Sequence, residues 1–258
     1  MKAVGKTPLI KLERLAEPGS ADIYVKWEGA NPTGSMKDRM ALAMVEGAEK
    51  RGDLKPGGTV VEYTGGSTGS SLAMVCATKG YKAHFASSDA FAKEKLQTMR
   101  AFGAELDIIP SGDGKITAKL IDTVIERAKE LSKAPNTFWT DQFNNEDNKN
   151  AYHAMAREVI DVLGTNVDEF IMGIGTGGCF SGNAETFKDQ VPGIKCVAIE
   201  PYHVRLCRRL RRRHRVRPVC SGPTGLYGSR PYSSGMPGKR EAYPWRYLGH
   251  SENRFRRS

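Results

Sequence analysis

The chain has 258 residues, of which 39% are hydrophobic; that is enough for one large or two ordinary domains with a sizeable core. No run approaches the ~18 consecutive apolar residues of a membrane-spanning helix, and the five cysteines are scattered with no CxxC pair, so neither a disulfide framework nor a metal site is expected. The net charge of +10 is uneven: residues 201–258 hold 15 of the 39 Lys and Arg but 2 of the 29 Asp and Glu, which leaves 24 against 27 in residues 1–200.

In chain order, Met1-Lys2-Ala3-Val4-Gly5 has no apolar leader, and a cytoplasmic location is expected. Strand patterns fall at Ile23–Trp27, Thr59–Tyr63, Ala83–Ala86, Leu106–Ile109, Glu169–Met172 and Lys195–Ile199. Helical spacing begins after the turn Asn31-Pro32-Thr33-Gly34, with Ser35 as expected N-cap, Ala41, Met44, Val45 and Ala48 on one face, and Gly52 as the stop. Further helices are expected at Ser70–Lys79, with Leu72, Val75, Cys76 and Lys79 on one face, and at Lys93–Phe102. Two more are expected at Ile116–Leu131 and Asn148–Leu163. Strands alternating with helices predict an α/β protein with mainly parallel sheet, whose ligands sit beyond the carboxyl ends of the strands.

Two glycine-rich loops occupy such positions. Thr64-Gly65-Gly66-Ser67-Thr68-Gly69 follows the strand ending at Tyr63, and Gly173-Ile174-Gly175-Thr176-Gly177-Gly178-Cys179 follows the strand ending at Met172. Glycines admit a ligand close to the backbone, and free amides at a helix start favour an anion. Either loop read alone is also an ordinary tight strand-to-helix turn. Gly173, Gly175 and Gly178 also fit G-x-G-x-x-G, with Glu200 at about the ~20-residue distance of a ribose-binding acid, which keeps a nicotinamide-dependent oxidoreductase open. That reading gives no role to Lys37. An isolated lysine after a helix cap is ordinarily a surface residue. In the first turn, however, the positive end of the helix dipole disfavours an ammonium, and the neutral amine is the form a Schiff-base lysine needs.

Taken in order, these segments resemble the cysteine synthase family, pyridoxal-phosphate enzymes of the tryptophan-synthase-β type. Gly5-Lys6-Thr7-Pro8-Leu9 resembles the family's "G-x-T-P-L", and Lys26-Trp27-Glu28 with Asn31–Arg39 resembles "K-x-E…N-P-x-G-S-x-K-D-R". Thr64–Gly69 resembles the T-S-G-N-T-G substrate loop, Phe102-Gly103-Ala104-Glu105 the "F-G-A-E" segment, and Gln142-Phe143 the "Q-F" segment. Gly175-Thr176-Gly177-Gly178-Cys179 resembles the G-T-G-G-T phosphate loop. The resemblance implies a fold-type II architecture of two domains with mainly parallel sheets flanked by helices. Residues 1–35 and 146–205 would form the larger cofactor-binding domain, incomplete at its C-terminal part, and residues 36–145 the smaller substrate-loop domain.

By the same resemblance, pyridoxal 5'-phosphate is carried by Lys37 and seated by Ser67, Gly175, Thr176, Gly177, Gly178 and Cys179. Thr64, Gly65, Gly66, Ser67, Thr68 and Gln142 bind a small amino-acid substrate. The reaction implied is β-elimination from an activated serine, with Lys37 as the base at Cα, then addition of a small nucleophile such as sulfide, in a homodimer. Three departures stand out: Gly65 and Ser67 replace the loop's Ser and Asn, and Cys179 replaces a Thr. They leave the cofactor site in place and leave open another donor, another nucleophile or dehydratase-like chemistry.

Residues 206–258 do not continue the resemblance. Their Arg-rich composition, with Arg208-Arg209-Leu210-Arg211-Arg212-Arg213, admits a nucleic-acid arm, a solvated tail or a shifted reading frame, of which the last best fits the abrupt change. Ser233-Ser234-Gly235 is too early to serve as the family's pyridine-facing serine. Weak cofactor binding, lost activity and poor solubility are therefore expected.

Overall fold

The structure is a computed structural model that describes residues 1–14 and 16–201 and the short strand Trp245–Tyr247. Its elements are β1 (Leu9–Lys11), β2 (Tyr24–Lys26), α1 (Lys37–Arg51), β3 (Thr59–Tyr63), α2 (Ser67–Lys79), β4 (Lys82–Ser88), α3 (Lys93–Ala101) and β5 (Glu105–Ile109). They continue with α4 (Ala118–Leu131), β6 (Thr137–Trp139), α5 (Glu146–Asn150), α6 (His153–Leu163), β7 (Glu169–Gly173), α7 (Gly178–Gln190), β8 (Lys195–Pro201) and β9 (Trp245–Tyr247). The central sheet is wholly parallel in the order β5-β4-β3-β6, and β7 pairs with β8 in parallel. This is the expected α/β architecture, parallel sheet flanked by helices.

Both faces of the central sheet are covered, which is why its strands read as near-continuous apolar runs. Val60 and Phe85 join Met40, Met44, Leu72 and Met99 from α1, α2 and α3 in the main core, whereas Val61 and Ala86 pack on Leu120, Val124 and Ala128 of α4. A separate cluster of Ala156, Phe187, Val191 and Ile194 holds α6 and α7 beside β7 and β8. No helix among the described residues is long and apolar enough to cross a membrane.

Several local expectations are corrected. The α1 N-cap is Met36, not Ser35; the Ser35 hydroxyl accepts from the Lys37 amide at 3.1 Å from just outside the helix. α2 begins at Ser67 rather than Ser70, so half of the first glycine loop is already helical, and Leu72 to Cys76 are buried all round rather than on one face. The helix expected over 148–163 is two, α5 and α6, broken at Ala151 and Tyr152. There the buried Tyr152 ring enters the main core and its hydroxyl reaches the Met36 carbonyl at 3.2 Å. α4 starts at Ala118 behind a Thr117 cap, leaving Ile116 58% exposed. The three-residue strands β1 and β6 were too short to show a period.

The sheet expected to stop at β8 carries β9, antiparallel to it. The rest of 206–258, with the Arg-rich run, the Ser233–Gly235 segment and the reading-frame question, lies outside the described residues.

The Lys26, Glu28 and Arg39 motif residues form one ionic network at the start of α1. Arg39 donates through Nε to Glu28 at 2.8 Å and through Nη1 and Nη2 to Glu158 at 2.8 Å each, and Lys26 pairs with Glu158 at 2.6 Å. Burial by itself raises the Glu158 carboxyl, but hydrogen bonds from Arg39, Lys26 and the Lys6 amide outweigh it and hold the group at about 2. Its contribution is therefore complete above the ordinary carboxylate range and lost as pH falls from there toward 2. Glu158→Gln strips a buried arginine of half its carboxylate and is expected to cost on the order of 3 kcal/mol. Urea midpoints at pH 7 should fall, and the gap between wild type and variant should close toward pH 3.

Candidate active site

The site forms where the N-termini of α1, α2 and α7 meet. Asp38, fully buried, accepts from the Thr33 amide at 2.8 Å, the Thr33 hydroxyl at 2.5 Å and the Ser71 hydroxyl at 2.6 Å. It thus locks the turn before α1 and fastens α1 to α2. With Arg39 anchored on one side and the Met36 carbonyl held by Tyr152, the backbone of Lys37 has little freedom. Lys37 itself is half-buried, and its pKa is lowered. The cause is desolvation by burial, with Cys179 close enough to act on it electrostatically in the opposite direction. This placement departs from the surface-lysine reading, and burial is the largest influence that disfavours the ammonium.

The first loop shapes itself with its own threonine. The buried Thr64 hydroxyl accepts from the Gly66 amide at 3.4 Å and the Gly69 amide at 3.1 Å, so it serves the turn. The Ser67 and Thr68 amides lie in the first turn of α2, where no intrahelical acceptor exists. Thr68 donates its hydroxyl to Gln142 Oε1 at 2.9 Å, and Gln142 Nε2 donates to the Tyr63 carbonyl at 3.3 Å. Gln142 therefore joins the loop although 74 residues separate it from Thr68. Ser67 is half-buried at the helix start. A Cβ on Gly65 would lie 2.0–2.3 Å from ring atoms of Phe91, so the missing loop hydroxyl coincides with an aromatic ring in its place.

The second loop ends in Gly177, the α7 N-cap, at φ 93°, a conformation that favours glycine. Thr176 and the amides of the first turn of α7 border this cap. The Thr176 hydroxyl accepts from Asn148 Nδ2 at 3.1 Å, which leaves its own proton free for an anion. Gly175 is exposed, Gly177 and Gly178 are buried, and Cys179 is buried with its thiol pushed up to about 12 by desolvation. Its sulfur takes a weak contact from Asn183 Nδ2 at 3.6 Å. Glu200 lies on β8, paired in register with Arg246.

Three contributors escape the sequence reading. Asn148 is 3% exposed and donates both to the Gln142 carbonyl at 2.7 Å and to Thr176, so it bridges the two loops. Glu158 anchors Arg39 from 119 residues away. Glu62, one residue from the end of β3, is 1% exposed beside the first loop. Its sole sequence signal is a charge inside the apolar strand Thr59–Tyr63.

The donor set suits pyridoxal phosphate: a half-buried lysine with a lowered pKa, a helix N-terminus with unspent amides, and a hydroxyl with a free proton. The sequence pattern of the family described as pyridoxal-phosphate dependent enzyme matches residues 1–255. Cysteine synthase of Staphylococcus aureus is 42% identical over 200 residues, which cover 77% of this chain and 63% of that protein. Among solved structures, a hydrogen sulfide-producing enzyme from Fusobacterium nucleatum superposes with a TM-score of 0.72 at 39% identity, over 78% of this chain and 64% of that one. O-ureido-L-serine synthase gives 0.72 at 35% identity, over 81% and 64%. The chain thus spans less than two thirds of the length of these relatives. On the match over nearly its whole length, with a lysine and a phosphate-type loop brought together as that chemistry requires, this chain belongs to the pyridoxal-phosphate-dependent enzyme family.

Proposed function

We propose that this chain is a cysteine-synthase-like β-replacement enzyme that acts on an activated serine with a small nucleophile such as sulfide. The observation that carries the reading is Lys37: a half-buried amine whose pKa is lowered by desolvation, within electrostatic reach of Cys179 in the first turn of α7. The cofactor supplies the electron sink at the substrate Cα. Each remaining task falls to this chain's own residues. The amides of Gly175 to Cys179 and the Thr176 hydroxyl bind the phosphate at the α7 N-terminus. The amides of Gly65 to Thr68 bind the substrate carboxylate at the α2 N-terminus, with Gln142 and Thr68 holding each other in place. Ser67 donates on the cofactor side of the same loop. Lys37 Nζ, its pKa lowered by desolvation, takes the proton from Cα.

The proposed division of labour follows the chain. Residues 1–35 and 146–205 carry the phosphate side, residues 36–145 carry the substrate loop, and two copies form a homodimer. The leaving group and nucleophile are set where this chain departs from the family loop, at Gly65 and Phe91.

Added pyridoxal phosphate should produce a visible absorption band. Borohydride should then fix the cofactor to Lys37, located by peptide mapping, and Lys37→Ala should abolish both signals. Fixation spread over surface lysines would refute the assignment.

A second expectation concerns Phe91. Gly65→Ser must displace the Phe91 ring and is expected to cost about 1–3 kcal/mol by overpacking. Gly65→Ser with Phe91→Ala should recover most of it in thermal unfolding.

A further inference from the structure

Glu62 is a buried carboxylate with no cation partner among the described residues. The groups that act on it are all neutral donors: the Thr140 hydroxyl at 2.5 Å, the Gln142 amide at 3.0 Å, the Tyr63 amide at 2.9 Å and the Trp139 indole. The Trp139 Nε1 proton is buried and has no hydrogen-bond partner at normal distance. Three hydrogen-bond donors converge on the two carboxylate oxygens, and two of them are backbone amides that can only donate, a setting that suits an anion.

The charged groups on neighbouring elements are engaged elsewhere. On β4, His84 pairs with Asp107, and on α4, Arg127 pairs with Asp107 and Glu130, across the sheet face where Val61 packs. On α2, Lys79 pairs with Glu46 and Glu49 at the helix end remote from the loop, and the Cys76 thiol is neutral, pushed up to about 12 by burial. Desolvation raises the Glu62 carboxyl to about 7, against the pull of the donors around it.

We propose that Glu62 is the positioning residue of the substrate loop: its ionised carboxylate fixes the Gln142 backbone, and Gln142 fixes the Thr68 hydroxyl at the start of α2. Glu62 Oε2 receives the Gln142 amide, Gln142 Oε1 receives Thr68, and the Gln142 carbonyl receives Asn148, which also holds Thr176. Glu62 touches neither loop's ligand side directly and acts through Gln142. Protonation removes the acceptor that Thr140 and the Gln142 amide share, and releases the residue on which the loop leans. The inference rests on the reading that this loop grips an amino-acid carboxylate.

The test uses the full chain in two arms. In the first, tryptophan fluorescence followed from pH 5.5 to 8.5 should show a step near pH 7 from Trp139 beside Glu62. Glu62→Gln should remove the step and Gln142→Ala should keep it. In the second, calorimetric titration of the cofactor-loaded protein with L-serine should give binding about tenfold weaker in both variants at pH 8, the worth of one to two hydrogen bonds. The tightening between pH 6 and pH 8 assigned to Glu62 should be lost in Glu62→Gln, while the visible band on cofactor addition is unchanged. A fluorescence step that survives Glu62→Gln, or serine binding that is untouched by it, overturns this inference alone. Wild-type protein that takes up cofactor but binds no L-serine overturns the substrate-loop reading with it.

Discussion

The site depends first on a buried arginine held between two carboxylates. Arg39 is 6% exposed, and burying a guanidinium is tolerable when its donors are met in full. Glu28 and Glu158 meet them from two directions, and the planar fork of arginine suits that double grip where a lysine's point charge would not. The grip draws segments 5–8, 28–31 and the middle of α6 onto the first turn of α1. Lys37, Asp38 and Arg39 then have three fates in three consecutive positions. Arg39 anchors the turn to α6, Asp38 fastens it to α2, and Lys37 is left half-buried with no carboxylate partner among the described residues. An acid beside it would favour the ammonium, but Glu28 and Glu158 are spent on Arg39 and Asp38 on Thr33 and Ser71.

The two glycine loops solve the same problem with different internal economies. Both put a helix N-terminus at the end of a parallel strand, where amides without partners attract an anion. In the first loop Thr64 turns its hydroxyl inward to hold the Gly66 and Gly69 amides, so the amides between them are the ones left without a partner from this side chain. In the second loop the hydroxyl of Thr176 is satisfied as an acceptor by Asn148 and keeps its proton. Gln142 and Asn148 run between the loops as one polar chain, every member of which is buried or half-buried. The spacing between the two helix N-termini is therefore set by side chains far apart in sequence.

Much of this was legible in the sequence where the signal was local. β3 appears at its expected residues, Thr59–Tyr63, and α3 and the Gly52 stop of α1 close to theirs, because apolar period and turn residues act within a few positions. Lys37 and both loops were found by order and type. What failed shares a cause: tertiary contact overrode the local pattern. A continuous helical period over 148–163 breaks because Tyr152 is drawn into the main core and bonded to Met36. α2 begins three residues early because Thr64 holds Gly69 and organises the turn from outside the helix. Glu158 and Asn148 looked like ordinary helix residues, and nothing in their own neighbourhoods reveals partners 119 and 28 residues away. Glu62 carried a readable clue, a charge within an apolar strand, whose meaning depends on Thr140 and Gln142 arriving from another strand end.

The departures from the family loop also change meaning once they are seen in place. Gly65 looked like a lost hydroxyl, but its Cβ position is occupied by Phe91, so glycine and ring form one packing unit. Cys179 looked like a lost phosphate donor. Its thiol is buried, pushed up to about 12, and therefore neutral beside Lys37. Its electrostatic pull toward the ammonium is outweighed by the desolvation that lowers the lysine. The thiol extends the apolar surroundings that desolvate Lys37, since Cys179 belongs to the same core cluster as Met40, Met44 and Tyr152. Cys179 puts a buried thiol into the dry surroundings of the lysine, and Gly65 leaves its Cβ position to an aromatic ring. Both changes move the site in one direction, toward fewer side-chain hydroxyls and greater reliance on backbone amides. That makes the rigidity of the two helix N-termini, and hence of Arg39, Asp38, Gln142 and Asn148 that fix them, the quantity on which binding turns.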